Sequence, residues 1–184
     1  YISFQTLNLK SMNFISRRTT LKSLALGAGV SMVSPFSVLS STKPKKEKLG
    51  IALVGLGYYS TDLLAPALAK TEKCYLAGIV TGSPSKAAVW KTKYKIPAKN
   101  IYDYESFDAI ADNPDIDVIY IVLPPSMHKE YVIRAAKAGK HVWCEKPMAV
   151  TVDECQAMID ACKLDNVSLS IGYRCQHEPN TNAF

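Results

Sequence analysis

LGIALVGLGYYS, residues 49–60, is the stretch whose reading decides the fold. Residues 51–54 form a short run of apolar and β-branched side chains, the composition of a strand buried on both faces. The run passes directly into Gly55-Leu56-Gly57. From Asp62 onward, Leu63, Leu64, Ala67 and Leu68 recur at helical spacing. A strand, a glycine turn and a helix make the first unit of a dinucleotide-binding α/β fold. Gly55 permits the tight turn, and Gly57 lets the backbone approach a pyrophosphate seated on the helix N-terminus. Ser60 stands where the fingerprint has its third glycine and is small enough for close helix–strand packing. Taken alone, these residues also fit an ordinary strand-to-helix turn, because GxG is common.

The chain downstream repeats the alternation. Residues 75–80 read as a second strand, ending in Thr81-Gly82-Ser83-Pro84-Ser85-Lys86. An NAD-binding domain usually places a carboxylate there for the ribose 2′-hydroxyl. Here Ser83 and Lys86 offer donors and a positive charge instead, which suits a 2′-phosphate and so NADP in preference to NAD. The alternative is a polar turn that merely opens a helix over 87–94. Residues 101–104 read as an aromatic connection and 106–111 as a brief helix. IDVIYIVL, residues 116–123, is the clearest buried strand of the chain. Pro124-Pro125 stops it, Ser126 is placed to cap a helix over 127–138, and Gly139 closes that helix. A strand at 141–144, an amphipathic helix at 152–163 and a last strand at 168–172 follow. Strands alternating with helices predict a Rossmann-type, doubly wound parallel sheet with helices on both faces.

Upstream, the chain begins at Tyr1, so a fragment or an extended reading frame is expected, with Met12 as the start. Arg17-Arg18 precede an apolar, Gly/Ala/Ser-rich segment reaching about Leu39, the order of a secretory signal. The arginine pair resembles the twin-arginine export signal, which implies a periplasmic or otherwise exported protein. Gly27, Gly29 and Pro35 interrupt the apolar segment, so membrane contact is expected only in transit. A helical extension carrying a chance arginine pair is the alternative. The expected organisation is a leader and linker over 1–47, with Lys43-Pro44-Lys45-Lys46 solvated, then an NAD(P)-binding domain over 48–175. Residues 176–184 begin the connection to a second domain.

The charge is unevenly placed. Of the net +6 in 184 residues, residues 1–46 carry seven Lys/Arg and no acid. The other 15 basic and 16 acidic residues leave −1, which removes the main support for nucleic-acid binding. The five cysteines, 74, 144, 155, 162 and 175, show no CxxC pair and no zinc-ligand spacing. They read as small apolar side chains, and no metal site is expected.

Ligands of such sheets lie beyond the carboxyl ends of the strands. The glycine turn, Ser83 and Lys86, Pro124-Pro125 with His128, Glu145-Lys146-Pro147 and Tyr173-Arg174 all fall there. A lysine at a strand end beside a proline is poorly explained as a surface solubiliser. Next to a nicotinamide, the Lys146 ammonium would hydrogen-bond a substrate hydroxyl and stabilise the alkoxide formed as hydride leaves. Glu145 would hold that lysine in place and keep it charged. The alternative is an exposed Glu-Lys pair ahead of a helix, and for His128 a structural or solvated histidine.

VGLGYY, the strand ending in LPPSMH, AGKHVWCEKPMA and IGYRC together resemble the Gfo/Idh/MocA oxidoreductase family. TGSPSKA, NIYDY, CEKPMA and GYRC, with the leader, are most similar to its glucose–fructose oxidoreductase branch. The resemblance covers about residues 48–179, and EKP is its most specific element. It implies an NADP-dependent sugar oxidoreductase that moves hydride between a sugar hydroxyl or carbonyl and a tightly held cofactor. By matching motif, Gly55, Gly57, Tyr58 and Tyr59 meet the pyrophosphate, and Ser83 and Lys86 the 2′-phosphate. Leu123, Pro124 and His128 border the nicotinamide. Glu145 and Lys146 belong to the active site, and Tyr173 and Arg174 lie close to cofactor or substrate. The resemblance also implies a second, α+β domain absent from this chain, which shapes the sugar pocket and through which homo-oligomers form. An NAD(P)-dependent sugar or inositol dehydrogenase of the same family, and a non-catalytic dinucleotide-binding sensor, remain as alternatives.

Overall fold

A computed structural model describes residues 46–173 and residue 175. The leader with Arg17-Arg18, Arg174 and the segment 176–184 lie outside the described residues. The described residues belong to one compact unit of the chain.

Six strands form one sheet in the order β3-β2-β1-β4-β5-β6, every neighbouring pair parallel. They are β1 (Leu49–Val54), β2 (Cys74–Val80), β3 (Ile101–Tyr102), β4 (Val118–Ile121), β5 (His141–Cys144) and β6 (Leu169–Ile171). The order reverses between β1 and β4, the crevice where doubly wound sheets hold their ligands. β1 sits at the centre because residues 51–54 have no polar side chain to solvate, and all four are fully buried.

Period-2 alternation divides the strand side chains between two cores. Ala52, Val54, Ile119, Ile121, Val142 and Cys144 point to one face. There they meet Phe107 and Ile110 of the 3₁₀ segment Ser106–Asp112, and Tyr131, Val132 and Ala135 of a helix, Pro125–Lys137. Met158 and Cys162 of the helix Val152–Leu164 complete that face. Ile51, Leu53, Ile79 and Val118 point to the other, against Ala65 and Leu68 of the helix Ala65–Leu68 and Trp90 of Pro84–Tyr94. In chain order these helices are α1 (Ala65–Leu68), α2 (Pro84–Tyr94), α3 (Pro125–Lys137) and α4 (Val152–Leu164).

Four local expectations are corrected. Ile101–Tyr102 is a strand, because Tyr102 pairs with Val80 and its carbonyl accepts the Thr81 N–H at 3.0 Å. Two residues carry no periodicity of their own, so only the neighbouring strand defines them. Helical winding begins at Tyr59 rather than Asp62, as a π-helical segment, Tyr59–Leu64, that continues into α1. The Thr61 N–H bonds the Gly57 carbonyl at 3.0 Å and so starts the coil early. Ser126 does not cap α3; Pro124 is the N-cap and Pro125 the first helical residue, where its missing N–H costs nothing. Lys46 is not freely solvated, since its ammonium pairs with Asp117 at 2.7 Å, whose other oxygen accepts the Gly50 N–H at 2.8 Å.

α4 has the side-chain cap that α3 lacks. Thr151 Oγ1 accepts the Glu154 N–H at 3.2 Å, and Glu154 Oε2 accepts the Val150 N–H at 3.1 Å. Thr151→Ala is expected to cost about 1 kcal/mol. Thermal unfolding should show it as a midpoint lowered by about 4 °C.

Candidate functional site

Backbone hydrogen bonds carry the sheet one residue past its strands and so hold the strand-end residues in place. The Gly55 N–H donates to the Val80 carbonyl at 3.1 Å, and that of Val122 to Val54 at 2.9 Å. The Glu145 N–H donates to Ile121 at 3.0 Å and that of Gly172 to Cys144 at 2.8 Å. Gly55, Val122, Glu145 and Gly172 therefore form one rigid edge.

The glycine turn is shaped by two different demands. Gly55 has φ +89°, and a Cβ there would stand 2.4 Å from the Val122 carbonyl oxygen, which only glycine avoids. Around Gly57 nothing lies within 4 Å of a Cβ position, so its backbone faces open space. Ser60 is fully buried and does more than pack, because its hydroxyl donates to the Gly55 carbonyl at 2.6 Å and ties the helix start to the turn.

On one side of the turn lies a cleft of about 430 Å³ bordered by Leu56, Gly57, Tyr58, Asp62, Lys86 and Trp90. The Lys86 ammonium reaches back from α2 to donate to the Leu56 carbonyl at 3.0 Å. An ammonium has three donors, so two remain for a ligand. Ser83 does not line this cleft; it caps α2, its hydroxyl accepting the Lys86 N–H and lying 3.0 Å from the Ser85 hydroxyl. No carboxylate occurs in Thr81-Gly82-Ser83 at the end of β2, although Asp62 borders the cleft from the opposite side.

On the other side of the turn is a cavity of about 630 Å³. Tyr59, Leu123, Glu145, Lys146 and Tyr173 line it, together with Val122, Gly172 and Cys175. The Lys146 side chain is exposed and makes no hydrogen bond or ion pair among the described residues. Glu145 is 9% exposed and turns inward. Its Oε1 accepts the Tyr120 hydroxyl at 2.6 Å, and its Oε2 lies 3.3 Å from the Lys146 N–H. The expectation that Glu145 holds the Lys146 ammonium is thereby corrected. Both residues line the cavity, but the carboxylate is engaged by Tyr120 while the Lys146 side chain is exposed.

His128 is also corrected as a ligand-contacting residue. Its ring is fully buried, with Nε2 2.8 Å from the Leu123 carbonyl and Nδ1 3.0 and 3.1 Å from those of Pro147 and Met148. It ties the β4 exit to the turn after β5, in which the Lys146-Pro147 peptide is cis. Pro124, as the α3 N-cap, likewise shapes the cavity edge without lining it. Tyr173 borders the cavity; Arg174 lies outside the described residues.

Tyr120, Val122, Gly172 and Cys175 were not picked out in the sequence. The signal for Tyr120 was its hydroxyl, the one polar tip in IDVIYIVL after the opening aspartate. Beneath the site, burial and then Glu145 push the Cys144 thiol up to about 12, leaving it an inert apolar side chain. All five cysteines are free. Among the described residues no His/Cys/Asp/Glu group could hold a metal ion, and no helix is long and apolar enough to cross a membrane.

Residues 49–173 match the model of an oxidoreductase family with an NAD-binding Rossmann fold. The crystal structure of an aldose–aldose oxidoreductase from Caulobacter crescentus, complexed with glycerol, is 49% identical with a TM-score of 0.71. The match covers 72% of this chain and 40% of that one. The NADP⁺-dependent D-xylose 1-dehydrogenase of Haloarcula marismortui is 31% identical over 70% of this chain and 35% of its own length. The inositol 2-dehydrogenase of Salmonella paratyphi B is 33% identical over 61% and 33%. The chain thus spans about a third of the length of these curated relatives.

Proposed function

The chain belongs to the Gfo/Idh/MocA oxidoreductase family, and on that premise we propose that it forms the NADP-binding part of a sugar oxidoreductase acting on an aldose. The observation that carries this reading is the pair of hollows flanking one glycine turn, with a lysine in the larger that has no partner among the described residues. The residues fit a dinucleotide. Gly57 leaves the backbone open to a pyrophosphate, the cleft with Lys86 suits the adenosine end, and the cavity with Lys146 suits the nicotinamide and sugar. When bound, the nicotinamide supplies the hydride acceptor or donor.

The protein's own part is positioning and charge. Lys146 presents an ammonium to the sugar hydroxyl and stabilises the oxygen as it takes on negative charge. Leu123, Val122 and Tyr173 give that lysine a largely apolar wall, which strengthens its hydrogen bond. His128 holds the Leu123 and Pro147 carbonyls together, so the two sides of the cavity keep their spacing.

The aldose class rests on the 49% identity to the aldose–aldose oxidoreductase, and the glucose–fructose type of reaction is the finer form of the same reading. A polyol dehydrogenase is the second reading, supported by the similarity to the inositol 2-dehydrogenase. Aldoses and inositols offered to the intact protein with NADP separate the two, by which substrate drives reduction at 340 nm.

NADP preference rests on the missing carboxylate after β2 and on Lys86. Titration with NADP and NAD is expected to give tighter NADP binding; equal binding would overturn the preference. Ser85→Asp, which places a carboxylate on the wall of the Lys86 cleft, should weaken NADP by tenfold or more, since a like charge beside a phosphate costs roughly 1–4 kcal/mol between water and a protein surface.

A further inference from the structure

We propose that Tyr120 is a positioning residue that keeps Glu145 turned away from Lys146 and so leaves the lysine ammonium free for substrate. The proposal rests on the reading of Lys146 given above and adds a residue that contacts neither cofactor nor sugar in that reading.

Tyr120 lies in β4 between Leu53 of β1 and Trp143 of β5. Its ring packs edge-on against Trp143, centroids 5.6 Å apart at 86°, so the hydroxyl has a fixed aim. That aim is Glu145 Oε1 at 2.6 Å, a length typical of a phenol bonded to a carboxylate. Burial first, and then the bond to Glu145, push the phenol well above its ordinary range, so it remains a donor at every physiological pH. The carboxylate is closed in on a second side by Gly172, where a Cβ would stand 3.1 Å from Oε1. Its remaining polar contact is the long one to the Lys146 N–H.

Glu145 and Lys146 border the same cavity, yet no ion pair joins them. A carboxylate that is 9% exposed needs a strong partner, and the phenol provides it. Without the phenol, the Lys146 ammonium, on the next residue of the shared cavity wall and without a partner among the described residues, is available to compensate the charge. Pairing there would neutralise the charge that the reaction uses.

The experiment measures the acetylation rate of Lys146 by competitive labelling and mass spectrometry, with Lys70 as internal reference. Tyr120→Phe should slow Lys146 labelling at least threefold, and Tyr120→Phe/Glu145→Gln should restore it. Glu145→Gln alone should leave it at the wild-type rate, because no ion pair is lost. Aldose oxidation by the intact protein should fall about tenfold in Tyr120→Phe with NADP affinity within twofold. Adding Tyr120→Phe to Glu145→Gln should cost less than twofold more. Unchanged labelling in Tyr120→Phe, slower labelling that persists without Glu145, or faster labelling in Glu145→Gln alone would each overturn the proposal. Labelling needs no turnover. Absence of aldose oxidation in the wild type would therefore count against the proposed function while the labelling still decides the role of Tyr120.

Discussion

Lys146→Met is expected to lower aldose oxidation by the intact protein by about 10²-fold or more while NADP affinity stays within about twofold. The reasoning begins with what this side chain lacks. It makes no hydrogen bond or ion pair among the described residues, so removing its charge leaves no partner stranded. Folding stability should therefore change by less than about 0.5 kcal/mol. Lys146 lines the larger cavity, across the glycine turn from the cleft that holds Lys86. An ammonium aimed at a developing alkoxide works only while that charge forms, and loss of one such donor typically costs 10²–10³ in rate. Methionine keeps the length and most of the volume, so a collapse of kcat isolates the charge. Steady-state kinetics with nucleotide titration and a thermal melt checks all three parts. Near-wild-type kcat would return Lys146 to an exposed lysine without a chemical role.

The second large effect separates two glycines that look alike in the sequence. Gly55→Ala is expected to destabilise the domain by about 3 kcal/mol or more and to lower its unfolding midpoint by about 10 °C. Alanine at φ +89° is strained, and its methyl would meet the Val122 carbonyl at 2.4 Å. That carbonyl cannot retreat easily, because its own residue is bonded to Val54 across the sheet at 2.9 Å. Gly57→Ala meets nothing within 4 Å and should melt within about 2 °C of the wild type. Its methyl would instead stand where the backbone must approach a pyrophosphate, so NADP binding should weaken tenfold or more. Calorimetry and nucleotide titration on the two variants form one test. Equal melting points, or unweakened NADP binding in Gly57→Ala, would show that the turn does not work in this way.

Most of the sheet was legible in the residue pattern, for a reason visible in β1 and β4. Residues 51–54 and 118–121 are almost wholly apolar because both faces of a central parallel strand are covered, and covered strands leave unbroken apolar runs. The glycine turn was legible as well, since only glycine tolerates the Gly55 conformation beside the Val122 carbonyl. So was the gathering of Lys86, Glu145, Lys146 and Tyr173 at the carboxyl ends, because alternating strands and helices fix which ends share an edge.

What tertiary structure alone decided is where each polar atom finds its partner. Glu145 and Lys146 are adjacent in sequence and read as a pair, yet the carboxylate bonds Tyr120, 25 residues earlier. His128 stood among ligand-side residues and proved to be buried, held by carbonyls of Leu123, Pro147 and Met148. Ile101–Tyr102 became a strand only because β2 offered it an edge. Local pattern records whether a side chain meets water or core, since that depends on its own periodicity. A hydrogen bond depends on distance and direction between two atoms, and for residues far apart in the chain only the assembled sheet sets those.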